Sequence, residues 1–162
     1  MAADAIARQY DVDKNRLTLV CETESGSYRP GIITFFPKPG KSLDLRKMEE
    51  SLRATRLSGG TSMGMSHLDI TVVGEATLKD DTVRLHGAGM PQQFLLRAAQ
   101  DDKSQALERV RQAVAAGAKT VTVTGRVDGW SGRFPLVLGA LAKRPPQEPV
   151  VLFVTDFEAS KK

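Results

Sequence analysis

The most regular pattern in the chain is the alternation of Lys119 to Val127, KTVTVTGRV, where every second residue is apolar over most of its length. A period of two sends one set of side chains to a buried face and the other to water, so this stretch reads as a strand. Related patterns run through Leu17 to Glu22, Leu68 to Lys79, Thr82 to His86, Gln93 to Ala98 and Val150 to Phe157. Ile32 to Phe36 is a further β-rich run, stopped by Pro37-Lys38-Pro39-Gly40, whose prolines remove donors and fix φ. With Ser25-Gly26-Ser27 as a turn, the first two strands are expected to form a hairpin.

Two segments follow a helical period instead. Leu45, Met48 and Leu52 fall at i, i+3 and i+7 behind Ser42 or Asp44 as candidate caps, and Ser58-Gly59-Gly60 ends that helix. Leu107, Val110 and Val114 form the second stripe, with Ser104 expected as N-cap and Gly117 in the C′ position. Asp80-Asp81 and Gly87-Ala88-Gly89 read as turns, and Gly74 and Gly125 as bulges within strands.

The elements predict an α+β protein: a lead-in over 1–15 that is either a loose helix or disordered, a hairpin and helix over 16–67, an OB-like barrel over 68–158, and a tail over 159–162. From Leu68 the order is strand, strand, strand, helix, strand, strand, which is the OB order with a helix between the third and fourth strands. The rival arrangement uses the second helix and the strand at 119–127 to complete one ferredoxin-like sheet. A barrel is preferred because it gives the strand at 150–157 a place.

GIITFFPKPGKSLDLRKMEESLRATRL followed by LDITVVGEA resembles the strand, helix and strand of a heavy-metal-associated domain, the ferredoxin-like module of metallochaperones. The resemblance implies a strand-helix-strand N-terminal unit that shares the strand at Leu68. In that family a Cys-x-x-Cys between strand and helix holds soft metals. Pro37 to Ser42 stands there in this chain without a cysteine. Leu68 to Phe157 resembles an OB-fold by topology, which implies oligonucleotide, oligosaccharide or protein contact.

Charge changes this picture little. The net +4 arises from 23 Lys and Arg against 19 Asp and Glu spread along the whole chain, a mild attraction to polyanions without a basic arm. The single Cys21 excludes an intramolecular disulfide and a multi-cysteine metal site, and its alternation with Leu17 and Leu19 reads as a buried thiol. No apolar run reaches the ~18 residues of a membrane span. The opening MAADAIARQY has no signal-peptide pattern, which fits a cytoplasmic protein and equally a mature periplasmic one.

Candidate chemistry falls in two clusters. Met63, Met65 and His67 precede the strand at Leu68, while His86 and Met90 end the next strand. Thioether with imidazole is a ligand set for Cu(I) or Ag(I), so Cu(I) is the ion such a site would take; the alternative is that the methionines plug a barrel end. The second cluster is Arg84, Phe94 and Arg97 on the OB second and third strands, with Trp130, Arg133, Phe134, Lys143 and Arg144 in the long loop. Aromatics for stacking and cations for phosphate are what single-stranded nucleic acid requires, although Phe94 can equally face inward.

Asp11, Asp13, Asn15 and Glu22 match EF-hand ligand spacing, but Arg16 stands where the loop's turn needs Gly, so an Asx-rich turn is the better account. The glycines at 59, 60 and 64 lack the Lys-Ser/Thr of a phosphate loop. Function is therefore expected to be that of a non-enzymatic binding or protein-interaction module linked to soft-metal handling, with an OB-type single-stranded nucleic-acid binder as the alternative.

Overall fold

The protein is described from a computed structural model, over residues 12–13, 17–21, 31–38, 41, 43–45, 47–48, 68–100, 103–128 and 149–159. The chain divides into two compact units, Met1–Leu43 with Lys47–Gly64, and Asp44–Arg46 with Met65–Lys162.

In the first unit, β1 (Thr18–Cys21) and β2 (Gly31–Thr34) pair antiparallel from Thr18 opposite Thr34 to Cys21 opposite Gly31. This is the pairing expected of the first two β-rich runs. A bridge between Val12 and Pro37 extends the pair, and the Asp13 N–H donates to the Phe36 carbonyl at 2.9 Å. Asp13 therefore borders a β-bridge, while Asp11, Asn15 and Glu22 lie outside the described residues. Val12 and Met48 are buried.

The second unit is a closed five-stranded barrel with one short helix. β3 (Asp69–Lys79), β4 (Thr82–Gly87), β5 (Gln93–Ala98), β6 (Thr120–Asp128) and β7 (Val150–Ala159) close in the order β3-β4-β5-β7-β6. All ladders are antiparallel except β5 with β7. Together with α1 (Ala106–Ala115) between β5 and β6, this is consistent with an OB-like barrel. Alternation decides the interior: Val72, Val83, Leu85, Phe94, Leu96, Val121, Val123, Leu152 and Val154 are all buried at inward positions. β3 is hydrogen-bonded to β4 on one edge and β6 on the other, and β2 pairs with β1. These ladders lend no support to a strand-helix-strand unit that shares β3; the segment between β2 and β3 lies largely outside the described residues.

The glycines within strands do two different jobs. At Gly125 the β6–β7 register shifts, with Thr124 opposite Asp156 and Gly125 opposite Val154, so Thr155 is the extra residue of a bulge. No shift occurs at Gly74, contrary to the expected bulge. Its role is close approach: a Cβ there would collide with the His86 carbonyl. It also stands where β3 passes from pairing with β6 to pairing with β4, and a small residue suits such a barrel corner.

Asp80 and Asp81 both have positive φ, 48° and 59°, between the paired Lys79 and Thr82. That is the type I′ hairpin turn, which matches the right-handed twist of the strands it joins. α1 begins one residue later than expected. Gln105, in the left-handed region, is the N-cap, and the Ser104 hydroxyl donates to the Thr155 carbonyl at 3.3 Å instead of capping the helix. The bulge explains this, since its extra residue leaves the ladder and frees a carbonyl. The helix closes as expected: the N–H groups of Gly117 and Ala118 donate to the carbonyls of Val114 and Ala113, a Schellman arrangement.

Ala106, Leu107 and Val110 bury the inner face of α1. Arg109 donates to the Phe157 carbonyl at 3.0 Å with its guanidinium 5.7 Å from the Phe157 ring centre, and Arg111 donates to the Asp81 carbonyl at 2.9 Å. These two contacts tie the helix to β7 and to the β3–β4 turn. No helix among the described residues is long and apolar enough to cross a membrane.

Candidate ligand face on the barrel wall

Strand register brings together residues that the sequence keeps apart. Arg84 on β4 stands opposite Leu95 on β5, which stands opposite Val151 on β7. One step along the barrel, Arg97 on β5 stands opposite Phe153 on β7, Phe153 opposite Arg126 on β6, and Arg126 opposite Asp69 on β3. All of these occupy outward positions. Leu95, Val151 and Phe153 are half-buried, whereas Arg84, Arg97 and Arg126 are exposed. The wall of β4, β5 and β7 is thus an apolar strip flanked by guanidinium groups, with Asp128 of β6 opposite Val151 and exposed Asp156 farther along β7.

The arginines differ in how they are held. Arg126 makes a two-pronged contact with Asp69, Nε to Oδ1 at 2.8 Å and an Nη to Oδ2 at 3.2 Å. These hydrogen bonds raise the Arg126 pKa, burial opposes them, and the negative charge of Asp69 adds to the rise. Arg84 donates to the Gln93 side-chain oxygen at 3.3 Å, a neutral partner that steers it without cancelling its charge. Arg97 has no hydrogen bond or ion pair among the described residues. Chemically, the strip offers one flat ring and two cations without an ion pair among the described residues, which suits an anionic ligand with a planar group.

The Met and His residues are arranged differently. His86 is exposed on β4, with Glu75 of β3 and Gln93 of β5 as its ladder partners. Met90 instead turns over the barrel end: its sulfur lies 2.8 Å from where a Cβ on Gly87, an inward position, would sit. The two side chains leave opposite faces of the strand end. Met63, Met65 and His67 lie outside the described residues. Among the described residues there is no group of three or more His, Cys, Asp or Glu placed to hold a metal ion.

Of the residues expected at a nucleic-acid surface, Arg84 and Arg97 share the outer wall. Phe94 does not; fully buried, it fills the barrel, because its place in β5 has the inward phase. Trp130, Arg133, Phe134, Lys143 and Arg144 lie outside the described residues. Phe153, Leu95, Val151, Arg126 and Asp69 were not expected there. One signal was available: in Val150 to Val154, VVLFV, a strand of alternating phase must send either the odd or the even residues outward. Compared with known proteins, the chain matches no family model, no curated protein and no solved structure.

Proposed function

We propose that this chain is a non-enzymatic binding module whose ligand is single-stranded nucleic acid, held on the outer wall of β4, β5 and β7. The observation that carries this reading is the pair of register rows, Arg84–Leu95–Val151 and Arg97–Phe153–Arg126, with neither Arg84 nor Arg97 paired to an acid among the described residues. Phosphate contacts supply affinity without regard to sequence, and a ring supplies a stacking platform for any base. The third strand and its neighbours are also where OB barrels bind oligonucleotides, an analogy of fold that adds weight but no residues.

A soft-metal site draws less support, since His86 and Met90 diverge at the strand end. The positive net charge is modest, so affinity rests on the local patch rather than on a general field.

The test is fluorescence anisotropy of labelled single-stranded DNA and RNA of mixed sequence over a range of salt concentrations. Two phosphate contacts on a single strand predict that log K falls against log salt with a slope of roughly −1.4, at about −0.7 for each contact. Absence of binding at low salt, or binding of duplex only, would remove the single-strand assignment.

A further inference from the structure

Arg126 completes the row with Arg97 and Phe153, yet its guanidinium is occupied. Asp69 engages it through two roughly parallel hydrogen bonds, the same fork geometry in which arginine binds phosphate. We infer that Asp69 is a built-in competitor for ligand phosphate at Arg126, which limits the face to two phosphate contacts. This rests on the ligand face proposed above.

Three observations carry the inference. Asp69, Arg126, Phe153 and Arg97 are consecutive ladder partners across four strands, so a strand of nucleic acid stacked on Phe153 runs past Arg126. The pair is half exposed on both sides, with side-chain exposures of 55% for Arg126 and 50% for Asp69. An ion pair so open to water contributes little to folding and lies within reach of a ligand in solution. Finally, the other two cations of the face have no acid of this kind: Arg84 has a neutral partner and Arg97 none among the described residues. The acid is specific to one of three positions.

The consequence is a ceiling on affinity and on salt dependence. With the carboxylate in place, phosphate at Arg126 must displace an anion already bound in the best geometry, so little is gained. When the carboxylate is neutralised, a third phosphate contact opens. Affinity at low salt should rise and the salt dependence should steepen.

The experiment compares four full-length proteins by anisotropy on one labelled single-stranded oligonucleotide: wild type, Asp69→Asn, Asp69→Asn with Arg126→Gln, and Glu158→Gln. Glu158, exposed on β7 and opposite Thr122, matches the charge change of Asp69→Asn away from the row. Circular dichroism melts check that each variant is folded. Asp69→Asn should bind more tightly at low salt and steepen the slope by about 0.7, from roughly −1.4 to roughly −2.1. The double variant should return to the wild-type slope, and Glu158→Gln should stay there. An unchanged slope in Asp69→Asn overturns the competitor role while leaving the ligand face intact. An equal steepening in Glu158→Gln also overturns it, because net charge alone would then be responsible. If no variant binds, the ligand face fails and the inference falls with it.

Discussion

The outer surface of the barrel has two unlike sectors. Around β6, polar side chains satisfy one another: Thr71 of β3 and Thr124 share a hydrogen bond of 2.8 Å, Thr155 of β7 donates to the Thr124 carbonyl, and Arg126 is matched by Asp69 of β3. Around β5, apolar Leu95, Val151 and Phe153 lie half-buried beside Arg84 and Arg97, neither of which forms an ion pair among the described residues. Both sectors are built on the same alternation and the same ladders. The first is dominated by paired polar groups, with Val73 of β3 exposed among them, and the second sets half-buried apolar side chains beside arginines that have no acid partner among the described residues. Two cations beside a ring are a reason to look for a ligand, since phosphate contacts and a stacking platform need both.

Two phenylalanines on this wall put the contrast to its sharpest test. Phe94 on β5 faces the interior and is fully buried, while Phe153 on the neighbouring β7 faces outward. Phe94→Ala should cost about 3–5 kcal/mol of stability, read from urea unfolding, since it empties the barrel core. A cost below about 1 kcal/mol would mean that the core can collapse into the space. Gly74→Ala is expected to follow at about 2 kcal/mol, because the added methyl must displace the His86 backbone carbonyl rather than a flexible side chain. Phe153→Ala should do the reverse of Phe94→Ala. It should weaken oligonucleotide binding by ~1–3 kcal/mol with a smaller loss of stability, and unchanged binding would place the stacking elsewhere.

How far these distinctions could be read from sequence depends on whether a strand's two faces differ in polarity. Thr82 to His86 and Lys119 to Val127 alternate between apolar and polar, so their elements and inward residues were legible. The Asp80-Asp81 turn and the Gly117 helix end were legible for local reasons, since each needs backbone geometry that few residues tolerate. Val150 to Val154 is apolar on both faces, and nothing in it says that Phe153 is the outward ring. The row from Asp69 to Arg97 was invisible for a different reason. It depends on the register of three ladders between segments as many as 84 positions apart in the numbering, Asp69 to Phe153, and on a bulge that places Phe153 opposite Arg126. His86 and Met90 show the converse error. Four positions apart, they suggest one site, but the end of a strand sends one outward and lets the other fold back over Gly87.

The cations of the ligand sector should behave differently from its ring. Arg84→Gln and Arg97→Gln are each expected to flatten the salt dependence by about 0.7 while leaving thermal stability nearly unchanged. Together they should remove most of it. A slope that survives both changes would move the phosphate contacts off this wall, whatever Phe153 does.

The smallest effect is expected at the β3–β4 turn, outside both sectors. Asp81 holds a left-handed conformation at the second central position of a type I′ turn, where glycine is preferred. An L-residue there forgoes part of the roughly 1–2 kcal/mol that separates left- from right-handed backbone, although Asp tolerates it better than most. Asp81→Gly removes that strain, at the cost of a more flexible unfolded chain. It also deletes the carboxylate that lies 3.5 Å from Arg111, but that side chain is 81% exposed and its ion pair is weak. The Arg111 hydrogen bond to the Asp81 carbonyl at 2.9 Å uses the backbone and survives. The net expectation is a gain of about 0.5 kcal/mol in urea unfolding, with oligonucleotide affinity unchanged. A loss of stability would show that the carboxylate, rather than the carbonyl, joins α1 to the turn; a change in affinity would show that the turn is coupled to the ligand face.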